Sequence, residues 1–308
     1  MAKISYRIKN WKSYNAALVS RGSLTIWVSD EVVDGWLNMS MTSKRGRPRA
    51  YADVAIETAL TLRSVYRLPL RAAQGFLSSV LEIMKIDLAA PNYSTLCRRS
   101  AKLVVSIKST SAKEPRHLVI DSTGLKIFGE GEWHMRIHGK SKRRTWRKLH
   151  LSIDSKTQEI IACELTSSNV HDSTQTEKLL PKQEPIAAVY ADMAYDNQNA
   201  YQPIVERSAR AVIPPRSGAA LMKPKTWGIV ERNKNVREKW FLGKELWKVA
   251  RNYHRRSLAE TGMYRQKQIL GDRLRSIDFT RQITEARIRA SILNQMTQQG
   301  MPQSYKSP

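Results

Sequence analysis

Cysteine is almost missing from this chain: 308 residues contain two, Cys97 and Cys163. Two thiols cannot build a disulfide framework, a CxxC clip or a four-cysteine zinc site. Long apolar runs are missing as well. No stretch approaches the ~18 uninterrupted apolar residues of a membrane-spanning helix. Met1 to Asn10 has no apolar segment of the secretory kind, so no signal peptide is expected. Acidic residues are scarce, with 27 Asp plus Glu against 52 Lys plus Arg, a formal net charge of +25. These absences lead to the expectation of a soluble protein of a reducing compartment. The charge surplus calls for a polyanionic partner, because net charge governs association and steering and not fold. Nucleic acid comes first. A membrane surface would need a basic amphipathic helix with Leu, Phe and Trp on one face, and the basic stretches are not of that kind.

What is present is globular: 41% hydrophobic and 26% charged residues. At roughly 150 residues per domain the length suggests about two domains. A chain of this size buries about three quarters of its unfolded surface, enough for a proper core. Residues 1–112 hold 17 basic and 7 acidic groups, and residues 113–308 hold 35 and 20, so both parts are expected to meet the polyanion.

In the first part, Val54, Ile56, Ala59 and Leu60 recur at helical spacing. So do Ala72, Ala73, Phe76, Leu77, Val80 and Leu81 between Leu70 and Ile83. A third helix is expected after Pro91-Asn92, capped by Asn92 or Ser94 and carrying Arg98, Arg99 and Lys102. Helices joined by a short turn, the last opening with polar and basic residues, suit a helix-turn-helix DNA reader. A plain structural bundle reads the same way. Just upstream, the strip Arg45-Gly46-Arg47-Pro48 is either an extended probe of a narrow minor groove or a solvated linker. Residues 1–43, with Trp11, Trp27 and Trp36, read as ordered but carry no assignable role.

In the second part, His117 to Asp121 is an apolar run ending in an acid, followed by Ser122-Thr123-Gly124. Such a run reads as a strand buried on both faces. Trp146–Ile153 and Glu159–Leu165 read as further strands, and Thr174–Leu180 as a helix started by Asp172 or Ser173. Ile186–Asp192 is a second buried strand ending in an acid. A helix near Gln198–Arg207 and a short strand Ala211–Ile213 follow. This order is α/β and matches the ribonuclease-H-like arrangement.

Trp240 to Lys267 contains no proline, only Gly243 and Gly262 interrupt it, and it is read as helix. With Tyr253 at zero and about 100° per residue, Arg256 lies at roughly −60°, Glu260 at −20° and Lys267 at −40°. Leu246, Ala250 and Ser257 fall near the same stripe, which is therefore expected to pack on the sheet. Glu260 is the acid well inside that stripe, and a buried Glu calls for a partner or a metal. Converging carboxylates raise each other's pKa unless a cation compensates. Oxygen-only ligation suits a hard ion, Mg²⁺ or Mn²⁺. Two such ions activate a water or hydroxyl on one side of a phosphodiester and stabilise the leaving oxygen on the other. Singly, each acid has an ordinary reading: an Asp at a strand end caps a turn, and Arg256–Glu260 has the spacing of an exposed ion pair.

Arg136 to Lys148 has seven basic residues and no acid. Arg143, Arg144, Arg147 and Lys148 are candidates for gripping a nucleic-acid backbone, which would make binding salt-dependent. Trp133 and Trp146 flank the stretch and suit core packing better than stacking on an unpaired base. Gly139-Lys140-Ser141 is no P-loop, because residue 134 is His where Gly is needed. His134 and His138 lack the HExxH context of a zinc site. Ser122 lacks the paired base of a hydrolase nucleophile.

The spacing Tyr253-x2-Arg256-x3-Glu260-x6-Lys267 resembles the Tyr-Arg-Glu-Lys signature of bacterial insertion-sequence transposases with a DDE active site. Ile120 to Lys126 with Gly129 to Trp133 resembles the segment around that family's first acid. Val189 to Asp196 resembles the segment around its second, with Met193 where many relatives carry Gly. Asn169-Val170-His171-Asp172 and Arg45 to Pro48 followed by Tyr51-Ala52-Asp53 are similar to further family stretches. The resemblance runs from about residue 20 onward. It implies a helix-turn-helix-type DNA-binding region at 1–112 and a ribonuclease-H-like catalytic domain at 113–308. The implied acids are Asp121, Asp192 and Glu260, holding two Mg²⁺ or Mn²⁺ ions, with Tyr253, Arg256 and Lys267 on DNA. The implied activity is cut-and-paste transposition: the terminal inverted repeats are bound, strands are cut, and 3′ ends attack target DNA. A homo-oligomer on double-stranded DNA in the bacterial cytoplasm, near the nucleoid, and no membrane partner go with it. The competing readings are a non-catalytic DNA-binding regulator and a structure-specific nuclease on the same fold.

Overall fold

A computed structural model describes residues 5–38, 50–127 and 146–307. The described chain forms two units, Met1–Val105 with Ser291–Pro308, and Ser106–Ala290. The sequence suggests a single cut at 112/113. The C-terminal residues join the first unit because β1 (Ser5–Ile8) pairs antiparallel with β7 (Ser304–Ser307). In addition, Arg21 donates to the Gly300 carbonyl at 2.7 Å.

The rest of the first unit is helical: α1 (Trp11–Ser20), α2 (Asp30–Asp34), α3 (Asp53–Val65), α4 (Leu70–Ile83) and α5 (Tyr93–Ser100). Most of the apolar spacing read from sequence is the packing face, with Ile56, Ala59, Leu60, Ala73, Leu77, Val80, Leu81 and Leu96 buried, but Ala72 is exposed. Asn92 caps α5 through a 2.9 Å bond from the Ser94 amide. The short turn lies between α3 and α4, whereas residues 84–92 separate α4 from α5. Trp36 is fully buried and donates to the Ala89 carbonyl at 3.0 Å.

The second unit is built on a five-stranded sheet in the order β4-β3-β2-β5-β6. The strands are β2 (Arg116–Lys126), β3 (Trp146–Asp154), β4 (Ile160–Ser167), β5 (Ile186–Tyr190) and β6 (Arg210–Val212). The first three pair antiparallel, and β5 and β6 join in parallel. Strand alternation assigns the two faces. Leu118, Ile120 and Val189 pack with Tyr195, Tyr201 and Ile204 on one face, beside α6 (Thr176–Leu179) and α7 (Gln198–Glu206). Val119, Ala188, Tyr190 and Val212 pack with Trp247 and Ala259 on the other.

Three expectations are corrected. β2 does not stop at Asp121: it pairs with β3 from Leu118 to Lys126, so the acid lies mid-strand, opposite Leu151. Gly124 stays in the strand, where Trp146 covers it; a Cβ there would lie 3.2 Å from that ring. The helix after β4 opens as a 3-10 turn at Asp172–Gln175, and its capping residue is His171, whose ring accepts from the Ser173 amide, in place of Asp172 or Ser173. The Trp240–Lys267 helix is broken into α8 (Trp227–Leu242), α9 (Lys244–Ala250), a 3-10 turn at Tyr253–Arg256, and α10 (Ser257–Leu270). Gly243 and Asn252 make the breaks, at φ 76° and 51°. Gly and Asn are the residues that tolerate left-handed backbone. Leu246 and Ala250 are consequently exposed, and Trp247 takes the buried place.

One long element carries no mark in the sequence reading: α11 (Phe279–Gln299). Its Glu285 accepts from the Arg275 and Ser276 amides and pairs with Arg289 at 2.7 Å. Those bonds fix the segment that follows α10.

Close approach of helices is visible at Gly228 in α8, where an added Cβ would lie 2.7 Å from the Gln202 backbone nitrogen of α7. Gly228→Ala should therefore destabilise the protein by about 1–3 kcal/mol through overpacking, despite the better helix propensity of Ala. Urea denaturation checks it; an equal or higher midpoint would show that the two helices separate at no cost.

Candidate active site

Asp121 follows Ile120 in β2 and so projects on the same face as Val119, toward α10. Asp192 follows β5 with the parity of Tyr190, which also puts it on that face. Its carboxylate caps the 3-10 turn Met193–Tyr195, accepting from the Ala194 amide at 2.9 Å. Glu260 stands in the first turn of α10. That helix lies close on the sheet because Gly262 has no side chain; a Cβ there would meet the Ile153 side chain at 2.4 Å.

One guanidinium joins the set. Arg256 donates to Asp121 Oδ2 at 3.2 Å and, through its other nitrogen, to Glu260 Oε1. Asp121 and Glu260, 139 positions apart, thus share a counter-ion. Burial pushes the Asp121 carboxyl up from 3.8 to about 6. The Ser122 amide opposes that shift, Asp192 and Glu260 add to it, and Arg256 opposes it again. Burial also works against the charge of Arg256, but Glu260, Tyr253 and Asp121 together raise its pKa. The Tyr253 phenol is pushed up to about 12, by burial first. Its ring packs on Trp247 with centroids 5.8 Å apart.

The site residues read from sequence divide into groups. Asp121, Asp192, Glu260, Arg256 and Tyr253 form one electrostatic neighbourhood. The expected burial of Glu260 is corrected: its side chain is 59% exposed, because α10 buries Ala259, Gly262 and Met263 instead. Lys267 is half-buried near the C-terminal end of α10. Lys148 holds the loop after β4, donating to the Val170 carbonyl at 2.9 Å and to Asp172 at 3.0 Å. Arg147 donates to Gln282 at 2.9 Å and lies 4.8 Å over the Phe279 ring. In α5, Arg98 is exposed, whereas Arg99 donates to the Tyr51 carbonyl and pairs with Asp53. Arg45, Arg47, Arg143 and Arg144 lie outside the described residues, as do Trp133, His134 and His138.

Sequence reasoning missed the supports of Asp192. Asp196 is fully buried, accepts from the Arg216 amide at 2.9 Å and pairs with Arg232 at 2.8 Å. The Arg216 guanidinium donates to the Met193 and Ala194 carbonyls, both at 3.2 Å. The turn after the second acid is thus held from residues 216–232, and an Asp four positions past another acid was the available signal. On the opposite face His150 is buried, bonded to Thr166 at 2.8 Å. Burial lowers its pKa to about 4, against the nearby Asp172.

Among the described residues, no three His, Cys, Asp or Glu side chains are grouped closely enough to hold a metal ion. The donor chemistry nevertheless fits one. The three acids are oxygen donors, Asp192 and Glu260 both disfavour ionisation of Asp121, and a cationic side chain already stands between two of them.

A class for this frame comes from comparison with known proteins. Residues 112–295 match the family described as "Transposase DDE domain", and residues 19–130 match a second family with the same description. The longer match runs from just before β2 into α11 and includes Asp121, Asp192 and Glu260. The chain belongs to the DDE transposases, enzymes that cleave and join DNA, whose members generally use divalent metal ions. A solved structure similar to the chain is the piggyBac transposase synaptic complex with hairpin DNA. The two are 11% identical, with a TM-score of 0.41, over 96% of this chain and 76% of that one.

The raised Asp121 carboxyl gives a signed expectation. The native state holds its proton more tightly than an unfolded Asp does. The resulting stability is complete below pH ~4 and is lost as pH rises through about 6. Asp121→Asn should leave stability at pH 4 unchanged and raise it at pH 7.5, by roughly 1–3 kcal/mol at about 1.4 kcal/mol per pKa unit. Thermal melts at the two pH values check this, and an equal change at both would remove burial of the charge as the cause.

Proposed function

We propose that this chain is the transposase of a bacterial insertion sequence, moving its own element by cut and paste on a ribonuclease-H-like core. In this reading Asp121, Asp192 and Glu260 hold two Mg²⁺ or Mn²⁺ ions. The observation that carries it is the sharing of Arg256 by Asp121 and Glu260, with Asp192 adding to the electrostatic load on Asp121. Like charges so arranged need a cation. A bound divalent ion supplies charge neutralisation at the phosphate and lowers the pKa of an attacking water or 3′-hydroxyl.

The chain's own residues do the rest. The carboxylates fix where the cation charge stands. Asp192 is oriented by its bond from Ala194 and by the Asp196–Arg232–Arg216 brace behind it. Arg256 is poised to exchange its carboxylate partners for a phosphate oxygen, and guanidinium suits either through the same planar fork. Lys267 adds a second positive charge on α10, and Tyr253 packs beneath the site. Since phosphoryl transfer demands mostly positioning and charge stabilisation, such a frame is sufficient protein machinery.

DNA would be gripped by the basic stretch at 136–148, with Arg143 and Arg144 on the backbone. Arg147 and Lys148 have protein partners and act there by supporting the stretch. The region at 1–112 would read the terminal inverted repeats, with exposed Arg98 on α5 and the Arg45–Arg47 strip as contacts. Assembly as a homo-oligomer on repeat and target DNA, within a bacterial cytoplasm, completes the reading. Among the described residues no helix is long and apolar enough to cross a membrane.

Incubation with Mg²⁺ and supercoiled DNA bearing the element's ends tests this directly. Cleaved and joined products are expected, whereas cutting without joining would favour a nuclease. Asp121→Ala, Asp192→Ala and Glu260→Ala should each abolish cleavage while gel-shift binding of the repeats persists. Retained cleavage in any one removes that residue from the set. Arg256→Ala and Lys267→Ala should each slow strand transfer at least about tenfold, more than any loss of melting temperature accounts for. An unchanged transfer rate would deny them a phosphate role.

A further inference from the structure

The helix α8 is packed by one face and uncovered on the other. Ile229, Arg232, Asn233, Asn235 and Val236 are buried, and Asn235 donates to the Ala211 carbonyl at 2.9 Å. The outer face is not the charged surface that a solvated helix normally presents. With Trp227 at zero, Lys234 falls at roughly −20°, Phe241 at −40°, Val230 at −60° and Arg237 at −80°. All five are exposed: Trp227 by 73%, Val230 by 43% and Phe241 by 90%. They form one stripe about 21 Å long at 1.5 Å per residue, aromatic at both ends and basic in the middle.

Such a stripe favours one occupant. A second copy meeting this face would set Lys234 and Arg237 against their own counterparts, on chains that each carry +25. A membrane surface wants a continuous apolar face, and here two cations interrupt three apolar side chains. Duplex DNA offers phosphates, but its bases are already stacked, which would leave Trp227 and Phe241 in water. An unpaired strand satisfies both parts, since aromatic rings stack on bases while cations follow the backbone.

We infer that the outer face of α8 is a docking track for single-stranded DNA, with bases stacked on Trp227 and Phe241 and phosphates on Lys234 and Arg237. Its position suits the reaction. Glu238 of α8 accepts from Arg251 Nε at 2.8 Å, tying the last turn of the helix to the residue two before Tyr253. The Phe241 end therefore adjoins the segment that leads into the acid site. The inference rests on the chain acting on DNA; it does not depend on which residues are the catalytic acids.

The test measures anisotropy of a fluorescein-labelled 12-nucleotide oligo-dT and of a 30-base-pair duplex with the full-length chain. The double variant Trp227→Ala/Phe241→Ala should bind oligo-dT at least about fivefold more weakly, since two stacked bases lose their platforms. Duplex affinity and the circular dichroism melt should not change. Trp227→Phe/Phe241→Tyr should restore oligo-dT binding. Lys234→Gln/Arg237→Gln should lower the slope of log affinity against log salt by about 1.4, at roughly 0.7 per phosphate released. Oligo-dT affinity unchanged in the aromatic double variant overturns the inference, as does an equal loss on duplex. A change of oligomer mass in light scattering with oligo-dT binding intact would give the face to a second copy instead. Loss of binding to anionic vesicles with oligo-dT binding intact would give it to a membrane. The function reading fails separately: if Asp121→Ala still cleaves, the acid assignment falls while the oligo-dT result stands.

Discussion

A buried carboxylate with other acids nearby stays charged only against a cation, and this chain supplies Arg256. Its guanidinium reaches Asp121 in the middle of β2 and Glu260 on α10 at once. The fold works to make that bridge possible. β2 continues past Asp121 because β3 pairs with it to Lys126, so the acid stands on a rigid strand. α10 comes close enough only because Gly262 leaves room for Ile153. The broken chain at Asn252 turns Arg256 toward both acids.

The same constraint explains the supporting residues. Asp192 leaves the sheet at the end of β5, where backbone alone would leave it loosely held. The buried Asp196–Arg232 pair and the Arg216 bonds to the two following carbonyls fix that turn. Breaking a buried pair is far more costly than its net contribution suggests, because one charge is left without a partner. The brace is thus a commitment to one geometry around the second acid. It also links the acid to α8, which carries the uncovered aromatic and basic stripe.

Family membership and local chemistry reinforce one another here without being the same argument. The family match says that the chain cleaves and joins DNA. The electrostatics single out Asp121, where burial, two neighbouring acids and one arginine contend over a single proton. A carboxyl held near neutrality in that way responds strongly to a nearby cation. Perturbed carboxyls of this kind cluster at functional sites.

By itself the sequence determined the local facts. It determined the apolar spacing of α3 and α4, the cap at Asn92, the buried strands before each Asp, the excess of positive charge, and the spacing from Tyr253 to Lys267. These depend on neighbours in the chain, and periodicity reports them. Tertiary structure decided what neighbours do not encode. Gly243, marked in the sequence, and the left-handed Asn252, which was not, broke the stretch read as helix, so Trp247 took the place expected of Leu246 and Ala250. Pairing with β3 carried β2 through Ser122-Thr123-Gly124, which taken alone reads as a turn. Arg147, Lys148 and Arg99 acquired protein partners hidden by their distance along the chain. α11 buries Ala286, Ala290, Leu293 and Met296 at helical spacing, but its buried Gln282, Glu285 and Arg289, bonded to backbone groups of residues 271–277 just before it, break up that apolar pattern in the sequence. Burial and partnership are properties of the assembled fold, and only its packing could assign them.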